Sequence, residues 1–126
     1  MQIITSKAIL PQEVLNNLKS DVSGSIVTHI GVVRPSLEGD KLLSIEYRVN
    51  EAEAERELSR IAGDIKNKWK IQDIALCRRT GTLTLGEIIL IAVVSAPHRR
   101  EAFEACQYAV EQLRGMISVK KREIYE

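Results

Sequence analysis

Aromatic residues are scarce in this chain of 126 residues, with one tryptophan, three tyrosines and one phenylalanine making up 4%. A base-stacking platform for single-stranded nucleic acid is therefore disfavoured. An excess of one charge is missing too. Eighteen Lys+Arg stand against seventeen Asp+Glu, a formal net charge of +1. No global basic field exists to grip a polyanion or a membrane surface, so any anion site must be local. Two cysteines, Cys77 and Cys106, make neither a disulfide framework nor a zinc site. The longest apolar run, Ile88 to Val94, is far short of the ~20 residues of a membrane helix. The opening Met-Gln-Ile-Ile-Thr-Ser-Lys has neither the basic start nor the apolar core of a secretory signal. Repeats, low-complexity tracts and Pro/Ser-rich linkers are absent. The expectation is one soluble, cytoplasmic domain spanning residues 1–126, with 44% hydrophobic residues to build its core.

Apolar spacing outlines the elements. Gln2 to Ile4 reads as a strand, and Pro11 opens a short helix with Val14, Leu15 and Leu18 on one face. Asp21 to Gly24 reads as a turn and Ser25 to Val33 as a strand rich in β-branched residues. Arg34 to Asp40 is a polar loop, followed by a strand on which Leu43, Ile45 and Tyr47 alternate. From about Asn50 to Lys70 the period becomes helical, with Leu58, Ile61, Ile65 and Trp69 in one stripe. Acidic residues crowd its first turns and Lys66, Lys68 and Lys70 its last, an order that complements the helix dipole. Ile74 to Cys77 is a short strand, and Thr80 to Gly86 carries the chain round to Ile88–Val94. That run is apolar on both faces and reads as a central strand. Pro97 begins a helix with Phe103, Cys106, Val110 and Leu113 in its stripe and Gly115 as its stop. Ile117 to Tyr125 is basic and β-compatible. Strands and helices mix without strict βαβ alternation, which points to an α+β fold with a largely antiparallel sheet.

The most informative local feature is Pro97-His98-Arg99-Arg100. A helix start already carries partial positive charge, and each cation placed there costs ~0.3–1 kcal/mol at an exposed site. Bound anion would offset that cost, because free backbone N–H groups and cationic side chains converge on it. The competing reading is a solvated turn whose charge Glu101 and Glu104 offset at helical spacing. Arg78-Arg79, Arg34 and Lys120-Lys121-Arg122 each read alone as solvated faces; together they bring several cations to loops and strand ends, suiting a small phosphate-bearing ligand. His29 reads as a packed histidine among Ile26, Ile30 and Val32 rather than a ligand, and Cys106 as core. Asp73, Glu87 and Glu46 form no obvious carboxylate pair. Without metal-ligand spacing, a phosphate loop or a dinucleotide turn, metal and nucleotide cofactors are disfavoured.

Several segments in order resemble the large (catalytic) subunit family of molybdopterin synthase. They are Gly31-Val-Val-Arg34, Ile45-Glu-Tyr47, Arg79-Thr-Gly81-Thr-Leu83 with Gly86-Glu87, Pro97 to Cys106, and Lys120-Lys-Arg-Glu123. The resemblance covers about Ser25 to Glu123, and His98 to Cys106 is its most specific element. It implies an α/β hammerhead fold with additional antiparallel strands. It also implies a homodimer flanked by two small ubiquitin-like sulfur carriers, a heterotetramer. In the family the carrier's thiocarboxylated Gly-Gly tail enters a pocket, and its sulfur passes to cyclic pyranopterin monophosphate to build the dithiolene of molybdopterin. Carried over position by position, Arg34, His98, Arg99 and Lys121 match residues that line the substrate or anion pocket. The substrate's phosphate agrees with the anion site inferred from helix electrostatics.

The sequence also departs from the family pattern. Arg114 stands where the family carries a catalytic lysine, Lys120 replaces the tryptophan of a Trp-Lys motif whose lysine is Lys121, and Arg78 stands where histidine is typical. Arg48 and Asn50 replace a glutamate and a tyrosine. The expected catalytic set is therefore Lys121, Arg114 and Lys120, where either tail lysine can supply the amine that Arg114 does not; on a strand the two point to opposite faces, so one enters the pocket. A non-catalytic relative that binds the anion and the carrier is the alternative. A nucleic-acid-binding domain built on the basic clusters is opposed by the neutral balance and the few aromatics.

Overall fold

Residues 1–35 and 41–125 are described by the computed structural model. In chain order the elements are β1 (Gln2–Thr5), α1 (Pro11–Asn16), β2 (Ser25–Val32), β3 (Leu42–Val49), α2 (Glu51–Lys68), β4 (Asp73–Arg79), β5 (Gly81–Leu83), β6 (Ile88–Ala96), α3 (Arg99–Arg114) and β7 (Val119–Tyr125). The polar loop expected over Arg34 to Asp40 lies outside the described residues from position 36 onward.

Strand β6 is apolar on both faces, and it sits between β4 and β2 in a four-stranded sheet of order β1-β4-β6-β2. Both of its pairings are antiparallel, whereas β1 pairs parallel to β4. Leu90, Ala92 and Val94 turn to one side, into the main core with Leu58, Ile61 and Ile65 of α2 and Cys106 and Leu113 of α3. Ile91 and Val93 turn to the other, with Ala75, Cys77, Ile9 and Val14. Two helices thus cover one face and α1 with its approach covers the other, as a strand buried on both sides requires. A second sheet of order β5-β3-β7 is antiparallel throughout and adds Ile45, Tyr47 and Leu83 to the main core. The fold is mixed α+β with mostly antiparallel sheets, as expected.

Helix α2 starts where Asn50 accepts a hydrogen bond from the Glu53 N–H at 3.1 Å, and it buries Ala54, Leu58, Ile61, Ala62 and Ile65. Helix α3 corrects one expectation. Its buried face is Ala102, Ala105, Cys106, Ala109 and Leu113, while Phe103 is 61% exposed. The alanines bring the helix close to the sheet, and Phe103 lies about 100° round the helix from Ala102, off that stripe. A second correction falls on β3. Its register shifts between Leu42 and Ser44, so Leu42 takes the buried position and Leu43 is exposed. A third concerns Thr80 to Gly86, expected only as a connection: Gly81–Leu83 is a short strand paired with β3, and the turn proper is at Gly86, whose φ of 85° favours glycine. At Gly24 a Cβ would lie 2.6 Å from the Pro97 carbonyl oxygen, so glycine lets the start of β2 approach the start of α3.

Truncating Leu58 to alanine should lower the unfolding free energy by ~2–5 kcal/mol, since its side chain is fully buried. Phe103→Ala should stay within ~0.5 kcal/mol. Urea unfolding of the two variants checks both values.

Candidate active site

Tyr47 sits directly across from Lys121 in the β3–β7 pairing, and Ile45 from Glu123. Because side chains alternate along a strand, Lys121, Glu123 and Tyr125 share the face of β7 that carries Ile45 and Tyr47 on β3. Beside that face end β2, whose last residue Val32 is followed by Val33 and Arg34, and α3, with Arg114 in its last turn. Between them opens a cleft of about 360 Å³ lined by Arg34, Tyr47, Arg114, Lys121, Glu123 and Tyr125 among others. An inner recess of about 130 Å³ continues past Tyr47 to Arg78 and Met116.

Among the described residues the lining of the cleft is cationic with one carboxylate, Glu123. Lys121 Nζ lies 2.9 Å from Glu123 Oε1, and the Tyr125 hydroxyl donates to the other Glu123 oxygen. That hydroxyl, then the Lys121 ammonium, and more weakly Arg34 hold the Glu123 carboxyl below its ordinary value. Arg114 forms no ion pair with a carboxylate among the described residues. Its guanidinium approaches Gly31, where an added Cβ would lie 3.6 Å from Nη2 and 3.2 Å from the Leu90 side chain, so glycine leaves room for it. Arg78 is 95% buried because it follows Ile74 and Leu76 on the core-facing side of β4. It donates to the Leu113 carbonyl at 3.3 Å and lies 4.7 Å from the Tyr47 ring centroid. Its Nε is buried without a hydrogen-bond partner among the described residues.

Arg34, Arg114 and Lys121 thus meet in one cleft, while the other expected residues do not join them in this chain. Lys120 points to the opposite face of the sheet, beside Arg48, Glu46 and Arg122. His98 and Arg99 are exposed at the start of α3, about 22 Å along the helix from Arg114 at 1.5 Å per residue. There Arg100 pairs with Glu104 at 3.1 Å, as the solvated reading expects. Arg78 and Arg79 are not solvated. Arg79 binds Glu87 at 2.8 Å, and the Thr84 N–H together with Arg79 holds that carboxyl below its ordinary value. His29 is half-buried on the face opposite Ile26, Ile30 and Val32, which are exposed; burial and then the Arg114 charge push its imidazole down. Cys106 is a core thiol pushed up to about 11 by burial. The residue that sequence reading undervalued is Arg78, and its signal was the alternation Ile74, Leu76, Arg78, which aims it inward.

Glu57 of α2 secures the turn that delivers β7. It accepts from the Ile117 and Ser118 N–H groups at 3.0 and 3.1 Å and from the Ser118 hydroxyl at 2.6 Å. Burial alone would raise its carboxyl, but these bonds outweigh that effect and hold it below its ordinary value.

Taken together, these features define a class: a mixed α+β domain with a recessed, cation-lined cleft built between the ends of β2 and α3 and one face of β7. A family model described as MoaE protein matches residues 4–116. A molybdopterin synthase catalytic subunit from Bacillus subtilis is 33% identical over 98% of this chain and 78% of its own length. The human protein of the same name is 34% identical over 97% of this chain and 65% of its own length. The crystal structure of molybdopterin synthase from Staphylococcus aureus superposes with a TM-score of 0.92 at 29% identity, covering 98% of this chain and 90% of that one. A structure described as the complex of subunits 1 and 2 of a molybdopterin-converting factor from Helicobacter pylori shares the fold, with a TM-score of 0.76 at 15% identity. The chain belongs to the MoaE family, the molybdopterin synthase large (catalytic) subunit family.

The Glu57 contacts contribute stability that is fully present above the ordinary carboxyl value of 4.5 and is lost as pH falls through the lower folded-state value. Denaturant midpoints measured from pH 7 to pH 3 should therefore fall less steeply in Glu57→Gln than in the parent. Equal slopes would refute the assignment.

Proposed function

We propose that this protein is a catalytic subunit of molybdopterin synthase acting in the cytoplasm. It would transfer sulfur from the thiocarboxylated Gly-Gly tail of a small ubiquitin-like carrier to cyclic pyranopterin monophosphate, forming the dithiolene in molybdenum cofactor biosynthesis. The observation that carries this reading is the convergence of Arg34, Arg114 and Lys121 on one cleft in a chain of this family. Each transfer forms a carbon–sulfur bond on the pterin side chain in place of a carbon–oxygen bond, whose oxygen leaves on the phosphate or as water. The carrier's carbonyl carbon–sulfur bond breaks, and its acyl carbon takes oxygen from water, leaving a carboxylate. Reactants and leaving group are anionic, so fixed cations in a recess stabilise the charge as it moves. Among the three cations only Lys121 can give up a proton, since arginine stays protonated. Lys121 is therefore the proton donor, with Glu123 orienting its ammonium, and Arg114 and Arg34 hold anions.

His98 and Arg99 reach the same ligand only from a second copy of the chain, because α3 separates them from Arg114. A homodimer, with a carrier on each protomer, meets that requirement. The apolar strip Ile26, Ile30 and Val32 on the edge strand β2 supports it, being exposed in the single chain. The second reading, a non-catalytic module that binds the carrier and an anion, is favoured by Arg114 alone.

Single-turnover conversion of cyclic pyranopterin monophosphate, with thiocarboxylated carrier and this protein in excess, should yield molybdopterin. Lys121→Ala should slow it by ~10²–10³ while carrier binding persists, the scale of losing one well-placed charge stabiliser. No product with carrier binding intact would establish the module instead. In sedimentation the parent should run as a dimer and Ile30→Asp as a monomer; a monomeric parent would sink the dimer.

A further inference from the structure

Behind Tyr47 the cleft narrows to the recess of about 130 Å³, whose lining includes Gly31, Tyr47, Arg78, Arg114, Met116 and Lys121. Three cations face it and no carboxylate does, among the described residues. Burying an unpaired guanidinium is costly unless a counter-charge is present for part of the protein's working cycle. Arg78 has one donor on the Leu113 carbonyl and its face on Tyr47, while its buried Nε has no acceptor among the described residues. Arg114 lies close enough for the two charges to repel, which lowers the proton affinity of Arg78 beyond the effect of its burial. Two guanidiniums that line one recess and repel each other are suited to a shared anion, and the planar fork of arginine matches a carboxylate.

The recess is a narrow continuation of the cleft, of about 130 Å³, and a single small anionic group such as the end of a glycine chain can enter it. We propose that Arg78 and Arg114 form an inner subsite for a single carboxylate-type group, with Arg78 as the residue that discriminates it from a neutral chain end. The subsite rests on the reaction proposed above in one respect: there the group is the carrier tail's terminal carboxylate or thiocarboxylate, while a free carboxylate has the same chemistry. Arg78 is a binding and specificity residue and takes no proton.

The test uses the full chain and calorimetric titration with three probes: a hexapeptide ending in Gly-Gly as the free acid, the same peptide as its C-terminal amide, and acetate. The parent should bind the acid at least ~10-fold more tightly than the amide, about 1.4 kcal/mol. Arg78→Gln should abolish that preference and leave the amide unchanged. Arg78→Lys, which keeps the charge and loses the fork, should retain only part of it. Acetate binding that disappears in Arg78→Gln, with no acid-over-amide preference in the parent, would keep the subsite and assign it to free carboxylates. The proposal is overturned if Arg78→Gln, with its thermal unfolding intact, binds acid and acetate as the parent does. Should that variant fail to fold, unchanged acid binding by Arg78→Lys overturns it equally. Turnover of the same proteins separates the two readings. A parent that makes no dithiolene yet prefers the acid loses the reaction and keeps the subsite; one that makes dithiolene without any Arg78-dependent binding loses the subsite and keeps the reaction.

Discussion

The apolar character of β6 on both of its faces is the constraint from which the rest of the structure follows. A strand buried on both sides has to lie inside a sheet and be covered twice. Two long helices cover one side of it and α1 with its approach the other. Once α3 is laid across β6 and β2, its last turn is carried to the edge where the second sheet begins, and Arg114 arrives beside Tyr47 and Lys121. The cleft is therefore a product of core packing: its cations stand at the ends of elements whose positions the hydrophobic core has already decided.

The charge arrangement also separates two kinds of basic residue. Arg60, Arg79 and Arg100 lie within reach of carboxylates, Arg79 in a part-buried pair and the other two on exposed helix surface. Surface pairs of that kind contribute little to stability. Among the described residues Arg78 and Arg114 have no such partner, and they line one space. A net charge of +1 for the whole chain conceals this local excess of positive charge in the lining of the recess.

Much of the fold was legible because its long elements obey a clear period. The stripe Leu58, Ile61, Ile65 and the apolar run in β6 state their burial in residue spacing alone. What escaped depends on effects without a period. The shift between Leu42 and Ser44 exchanges which leucine is buried, and nothing at Leu43 itself announces it. Phe103 was placed in the core because it is large and apolar, but α3 uses alanines to come close, and a stripe of small residues is a weak signal in sequence. In the candidate site, Arg34, Arg114 and Lys121 were named from the resemblance, and their proximity in the fold is consistent with that carry-over. The depth of Arg78 was legible in principle from Ile74 and Leu76, but a double arginine suggests solvent more strongly than alternation suggests core. The remoteness of His98 and Arg99 from the cleft could not be read from spacing, since it depends on which end of α3 meets the second sheet.

The alternation along β7 makes chain length as important as chain composition in one short stretch. Lys121 faces the cleft and Lys120 faces away, and Glu57 fixes where the strand begins by binding Ile117 and Ser118. Adding or removing one residue between Gly115 and Ser118 would turn every side chain of β7 over. Lys120 and Arg122 would then enter the cleft and Glu123 would leave it, so the cations would lose the acidic companion that Glu123 gives them. At this turn a substitution leaves the register of β7 in place, whereas a change of length does not.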